Sequence, residues 1–219
     1  MCGRITLKTP PAQLQEELGV LVETELHARY NISPSQRIAV VTNNGQRKLE
    51  FFKWGLVPSW AKDPAIGNRM INARAETVAE KPSFRNALKK RRCVILADGF
   101  YEWRADGKRK TPIHIRFESQ KPFMIAGLWE TWRDEHGVVI PTCTILTTAP
   151  NPFMAQYHDR MPVILPPERV EEWLSPDARE ASQLAPLLVP WEGERLEAFP
   201  VSTLVNSPAN DRPECALPA

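Results

Sequence analysis

The chain has 219 residues, 42% of them hydrophobic and 25% charged, which excludes a disordered polymer and leaves enough apolar mass for a sizeable core. A formal net charge of +2 supplies no bulk field for steering a polyanion, so any affinity for nucleic acid has to come from local groups. No apolar run approaches the roughly 18–20 residues of a membrane helix and the N-terminal stretch has no secretory h-region, so no membrane association is expected.

In chain order, residues 9–22 (TPPAQLQEELGVLV) read as a helix, with Thr9 as its cap, prolines in its first turn and Leu14, Leu18 and Leu21 at helical spacing. The runs 37–42 (RIAVVT) and 48–55 (KLEFFKWG) read as strands around an NNGQ turn. Residues 83–92 (SFRNALKKRR) read as a second helix, capped by Ser83 and ending in cations. Four strand-like runs follow at 93–103, 112–117, 123–132 and 138–149, with ADGK and DEHG as hairpin-sized turns. A third helix is expected over 166–174 (PPERVEEWL), with Val170, Trp173 and Leu174 on its apolar face. Trp129, Trp132 and Trp173 lie in apolar patterns and read as core. Strands predominate, with no repeat and no low-complexity linker. A single α+β domain over 1–219 is expected, with a largely antiparallel, barrel-like sheet flanked by a few helices.

The cysteines are Cys2, Cys93, Cys143 and Cys215, scattered with no CxxC pair or Cys/His cluster. A cytoplasmic protein with free thiols, no structural metal and no cofactor is the expectation. Cys2 stands apart because it directly follows the start methionine. Removal of Met1 would place an α-amine and a thiol on neighbouring carbons of one residue. An α-amine ordinarily titrates at about 7.7–8.0, against about 10.4 for lysine, so an appreciable fraction is uncharged at neutral pH. Such an amine attacks an aldehyde to form a Schiff base, and the adjacent thiol can close onto the imine carbon as a five-membered thiazolidine. Read on position alone, Cys2 is first of all a small buried hydrophobe. Three further stretches bring chemistry: INARAET (71–77) with Asn72 and Arg74, ADGFYEW (97–103) with Glu102 between aromatics, and HDRMPVIL (158–165) with His158 and Arg160.

Together with MCGR, RYNISPSQ (29–36), WGLVPSWA (54–61) and TILTTAPN (144–151), these stretches span nearly the whole chain. In that order, they resemble the SOS-response-associated peptidase family, the abasic-site processing proteins that shield damaged single-stranded DNA. The resemblance implies that the mature Cys2 attacks the ring-opened aldehyde of an abasic deoxyribose and becomes joined to the DNA as a thiazolidine. It further implies that Asn72 holds the sugar, that Glu102 moves protons, and that His158 assists opening of the closed sugar and reversal of the crosslink. A weak abasic-site lyase activity and self-processing that removes Met1 go with it.

A protein on a damaged strand has to grip phosphates on either side of the lesion. Arg4, Arg74 and Arg160, each two residues beyond a chemical residue, have the planar fork that suits this. Trp60 is a candidate stacking platform. The resemblance adds Asn31, Pro34, Arg85 and Thr147 to the groove. The KKRR run at 89–92 reads either as a DNA-steering patch or as a solvated helix end. The expected partner is single-stranded DNA containing abasic sites, met by a monomer with no obligate protein partner. Two other classes remain open: an N-terminal-nucleophile glutamine amidotransferase, whose cysteine is also followed by glycine, and a non-covalent single-stranded DNA-binding module.

Overall fold

The computed structural model describes residues 2–107 and 109–219, so the expected ADGK turn runs into Lys108, outside the described residues. The strands in chain order are β1 (Ile5–Leu7), β2 (Arg29–Ile32), β3 (Arg37–Thr42), β4 (Glu50–Trp54), β5 (Asn72–Arg74), β6 (Arg92–Ala97), β7 (Gly99–Asp106), β8 (Arg109–Phe117), β9 (Phe123–Arg133), β10 (Val139–Thr148), β11 (Met161–Pro162), β12 (Ile164–Leu165) and β13 (Leu196–Pro200). The helices are α1 (Pro11–Leu18), α2 (Arg85–Lys90), α3 (Pro167–Trp173) and α4 (Ala181–Leu184).

Strands β10, β4, β3, β6 and β9 pair in that order. The circle closes because β10 pairs with both ends of the series: antiparallel with β9, and parallel with β4 through Thr142–Lys53 and Cys143–Trp54. The β6 run RCVILA is buried at every position, as expected of a strand with the barrel interior on one face and covering elements on the other. Antiparallel strands β13, β8, β7, β1 and β2 form a second sheet. The expected α+β class with a largely antiparallel, barrel-like core is the observed architecture.

The run CVILADGFYEW reads as one strand but serves both sheets. It leaves the barrel at Ala97 and enters the second sheet at Gly99, with Asp98 at the junction. A Cβ at position 99 would lie 2.2 Å from His114 Nε2 and 2.7 Å from Thr6 Oγ1, so only hydrogen fits there. The buried Asp98 carboxylate ties this junction to β1 and the segment after it. Its Oδ1 accepts from Thr6 Oγ1 (2.6 Å), and its Oδ2 from Lys8 N (2.6 Å), Thr9 N (2.8 Å) and Thr9 Oγ1 (2.8 Å).

That latch corrects the first helix. Thr9 does not cap it, because its hydroxyl and N–H are committed to Asp98; Pro10 occupies the cap position. The helix ends at Leu18 because Gly19 turns left-handed (φ 62°), and Leu21 beyond it is exposed rather than on an apolar face. Likewise α2 is shorter than 83–92, with Phe84 instead of Ser83 at its cap position.

The KKRR run divides: Lys90 is exposed at the end of α2, as a solvated helix end would be, but the other three are engaged. Lys89 pairs with Glu180, Arg91 with Glu130, and Arg92 is fully buried within β6. The Arg92 guanidinium donates to five carbonyls: Leu88 and Lys89 of α2, Trp173 of α3, and Ser175 and Asp177 just beyond α3. One side chain therefore closes the orphaned carbonyl ends of two helices. The third helix matches its reading, with Val170, Trp173 and Leu174 buried; Trp132 is buried as well, and Trp129 partly so. Strands β1, β2, β5, β11, β12 and β13 escape the sequence reading. They span two to five residues each, too few to display a period.

Candidate active site

Three chain segments distant in sequence converge at the C-terminal half of β10 and the front of β1. In β1, Ile5 pairs with Phe100 and Thr6 with Gly99, and the Tyr101 N–H donates to the Arg4 carbonyl at 2.9 Å. Continuing that antiparallel register brings residues 2 and 3 alongside Glu102 on β7. From the other side, β5 lies parallel to β10, with Asn72 opposite Ile145 and Arg74 opposite Thr147. The opposite edge of β10 carries β11, with Thr147 facing Pro162. The loop that precedes β11 carries His158, whose N–H is bonded to the Met154 carbonyl at 2.9 Å.

Cys2, Asn72, Glu102 and His158 come together in this way. Asn72 Nδ2 donates to the Cys2 carbonyl at 2.9 Å, while its buried Oδ1 accepts no hydrogen bond among the described residues. His158 Nε2 stands 3.8 Å from Glu102 Oε2. Cys2 is 1% exposed, and burial pushes its thiol well above the usual range, with the Glu102 carboxylate adding to the effect. Burial also lifts Glu102 to about 7. The ring of His158 is shifted the opposite way, because burial disfavours its cation. A carboxyl poised near neutrality between a neutral thiol and a neutral imidazole can accept and return a proton at small cost.

Arg160 N donates to His158 Nδ1 at 3.0 Å, which requires a bare Nδ1, whereas Asp159 Oδ1 lies 2.8 Å from the same nitrogen and would favour a proton there. A neutral ring carries one proton and so satisfies only one of these contacts; when the Arg160 bond is made, that proton sits on Nε2, toward Glu102.

The residues expected to hold DNA divide into two groups. Trp60 is 62% exposed, Arg74 and Arg85 are exposed, and Pro34 is half-buried. By contrast, Arg4 is buried and donates to Asn31 Oδ1 and the Val205 carbonyl, both at 2.5 Å, with its guanidinium 5.6 Å from the Trp103 ring centre. The fully buried Asn31 donates to the Val205, Ser207 and Asn210 carbonyls, so both side chains fasten the 205–210 segment rather than face solvent. Thr147 is fully buried. Arg160 is held by Glu76 through two bonds of 2.7 and 2.9 Å and by the Thr147 carbonyl at 2.6 Å. Sequence reasoning overlooked Asp98 and Glu76. Both lie inside stretches already singled out, ADGFYEW and INARAET, and only their partners mark them.

Residues 1–208 match the profile of the SOS response associated peptidase (SRAP) family. The chain belongs to this family. Among its relatives, "Abasic site processing protein YoqW" of Bacillus subtilis (strain 168) is 48% identical over 98% of each chain. "Abasic site processing protein HMCES" of Gallus gallus is 35% identical, over all of this chain and 78% of its own. The fold is shared with a crystal structure of a Bacteroides thetaiotaomicron protein, which superposes with a TM-score of 0.89 at 28% identity over the whole of both chains.

Proposed function

We propose that this SRAP protein recognises abasic sites in single-stranded DNA and joins itself to them through Cys2 once Met1 is removed. The α-amine of Cys2 adds to the C1′ aldehyde of the open sugar, the carbinolamine loses water, and the thiol adds to the resulting imine carbon. One aldehyde oxygen leaves as water, and a thiazolidine with new C–N and C–S bonds remains.

The observation that carries this reading is the convergence of Asn72, Glu102 and His158 on Cys2. A buried, neutral thiol needs a base at hand as it attacks, and Glu102, lifted to about 7 by burial, takes that proton. The same carboxyl protonates the departing hydroxyl in the dehydration. His158, with its proton on Nε2, delivers it to the ring oxygen of the closed sugar and so opens it; run backwards, this sequence releases the crosslink. The available Oδ1 of Asn72 accepts from a sugar hydroxyl or the Cys2 amine. Exposed Trp60 stacks on a neighbouring base while Arg74 and Arg85 meet phosphates. The Schiff-base stage permits some β-elimination, a weak lyase activity. The peptidase label of the family is read as removal of Met1.

The test is denaturing electrophoresis after mixing with single-stranded DNA that carries an abasic site. Wild type gives a denaturant-resistant complex and Cys2→Ala gives none. Survival of the complex in Cys2→Ala, or binding of abasic and intact DNA with no covalent product, overturns the reading.

A further inference from the structure

The first residues of a chain fray unless something ties them down, yet Cys2 is 1% exposed. Strand β1 begins only at Ile5, so residues 2–4 depend on other ties. Two are on the backbone: Asn72 Nδ2 donates to the Cys2 carbonyl and the Tyr101 N–H to the Arg4 carbonyl, both at 2.9 Å. The third is the Arg4 side chain, whose Nη1 donates to Asn31 Oδ1 and the Val205 carbonyl while its guanidinium lies over Trp103. One acceptor is on β2 and the other near the C-terminus, and residues 204–211 join them by wrapping the Asn31 amide. Asn31 Nδ2 donates to the Val205, Ser207 and Asn210 carbonyls, and Asn210 Nδ2 donates to the Leu204 carbonyl at 2.8 Å. Asn206 Oδ1 accepts from Trp103 Nε1 at 2.7 Å, which fixes the ring against the guanidinium. Asp211 closes the wrap. Its Oδ1 accepts from Tyr30 N (2.6 Å) and Asn31 N (3.0 Å) of β2, the edge strand of the second sheet, and its Oδ2 from Arg29 Nε.

We propose that Asp211 is a positioning residue for Cys2: it holds the 204–211 loop on β2, the loop and Asn31 grip the Arg4 side chain, and that grip keeps residues 2–4 lying along β7. This rests on Cys2 being the nucleophile, as described above. A reacting atom displaced by about 1 Å can lose a hundredfold in rate, so a nucleophile near a chain end depends on such ties. The Asp211 carboxylate acts by accepting from two backbone N–H groups, which an amide oxygen does as well; its charge serves Arg29. The grip uses Arg4 Nη1 alone. Nη2 makes no hydrogen bond among the described residues, so the clamp leaves Arg4 a donor for a phosphate.

Alkylation of Cys2 by a small neutral reagent, followed by peptide mass spectrometry on the full-length protein without DNA, reports how often the front of the chain opens. Cys93 and Cys143, fully buried in β6 and β10, certify the fold by staying unlabelled. Asp211→Ala should label Cys2 about tenfold faster than wild type, or more. Asp211→Asn, whose amide oxygen keeps both N–H bonds, should stay within about twofold of wild type. Arg4→Met removes the gripped side chain, leaves Asp211 in place and should release Cys2 as Asp211→Ala does. With abasic single-stranded DNA, the saturating crosslinking rate of Asp211→Ala should fall about tenfold to hundredfold while half-saturation stays within about twofold. A folded Asp211→Ala that keeps Cys2 protected, or crosslinks at the wild-type saturating rate, overturns the proposal. So does equal release of Cys2 by Asp211→Asn, which would tie the effect to Arg29 rather than to β2. Should Asp211→Ala not fold, Arg4→Met decides, and a protected Cys2 there overturns the proposal. If wild type forms no crosslink, the reading of function fails while the alkylation still decides the clamp.

Discussion

Asp98 joins the two sheets at the point where β1 brings Cys2 alongside Glu102, so its replacement should damage stability and chemistry together. Four hydrogen bonds end on its carboxylate, two from backbone N–H groups and two from hydroxyls. Bonds to a charged acceptor contribute about 1.5–3 kcal/mol each, less when several share one group. Asp98→Ala also strands the buried Thr9 N–H, and a loss of about 4 kcal/mol is expected. In Asp98→Asn, the amide oxygen can take the three bonds at the Oδ2 position while the NH₂ donates to Thr6 Oγ1. Only the charge is lost, at about 1–2 kcal/mol. For a domain of this size, each kcal/mol moves Tm by about 2–4 °C, so the alanine variant should melt roughly 10 °C below wild type and the asparagine variant roughly 4 °C below. Tryptophan fluorescence during thermal and urea unfolding measures both. The crosslinking rate should fall with the alanine variant even well below its melting point, because β1 no longer holds residues 2 and 3 in register. Equal losses for the two substitutions, or an alanine variant within about 1 kcal/mol of wild type, would refute the latch.

Arg92→Lys should destabilise strongly despite keeping the charge, since an ammonium has three donors for five buried carbonyls; an unchanged urea midpoint would contradict this. Burial lowers His114 from 6.5 to about 3, so between those values the folded chain binds fewer protons than the unfolded one, and stability is lost as pH falls through that window. His114→Phe, which keeps a ring against Tyr101, should flatten this acid limb in urea midpoints taken at pH steps. Glu102 works in the opposite sense: raised from 4.5 to about 7, it makes the folded chain bind more protons, and stability declines as pH rises through that interval. Glu102→Gln should therefore be more stable than wild type above pH 7 while losing crosslinking, and a less stable variant there would show that burial of the carboxyl carries no strain.

The sequence by itself determined the long elements. The strands β3, β6, β9 and β10 are runs of β-branched and aromatic residues long enough to display their pattern, β4 shows through its Phe51, Phe52 and Trp54, and α3 shows its apolar face at helical spacing. It also singled out Cys2, because amine-plus-thiol chemistry is confined to one residue type at one position, whereas Asn72, Glu102 and His158 were reached through the family motifs that hold them. What only the tertiary structure decided depends on partners remote in the chain. Arg92 and Lys89 look alike in the KKRR run, yet one is buried against five carbonyls from both sides of the 88–177 interval and the other pairs at the surface. Thr9 and Ser83 have capping side chains but no capping role; Asp98 claims Thr9, and Phe84 occupies the cap position of α2. Arg4, Arg74 and Arg160 share a spacing from the chemical residues, but strand pairing leaves Arg74 exposed, buries Arg4 against Asn31 and gives Arg160 to Glu76. Periodicity and composition report a residue's own preference. The free energy of a charged side chain is set by what lies within a few ångströms, and that is fixed only when the sheets close.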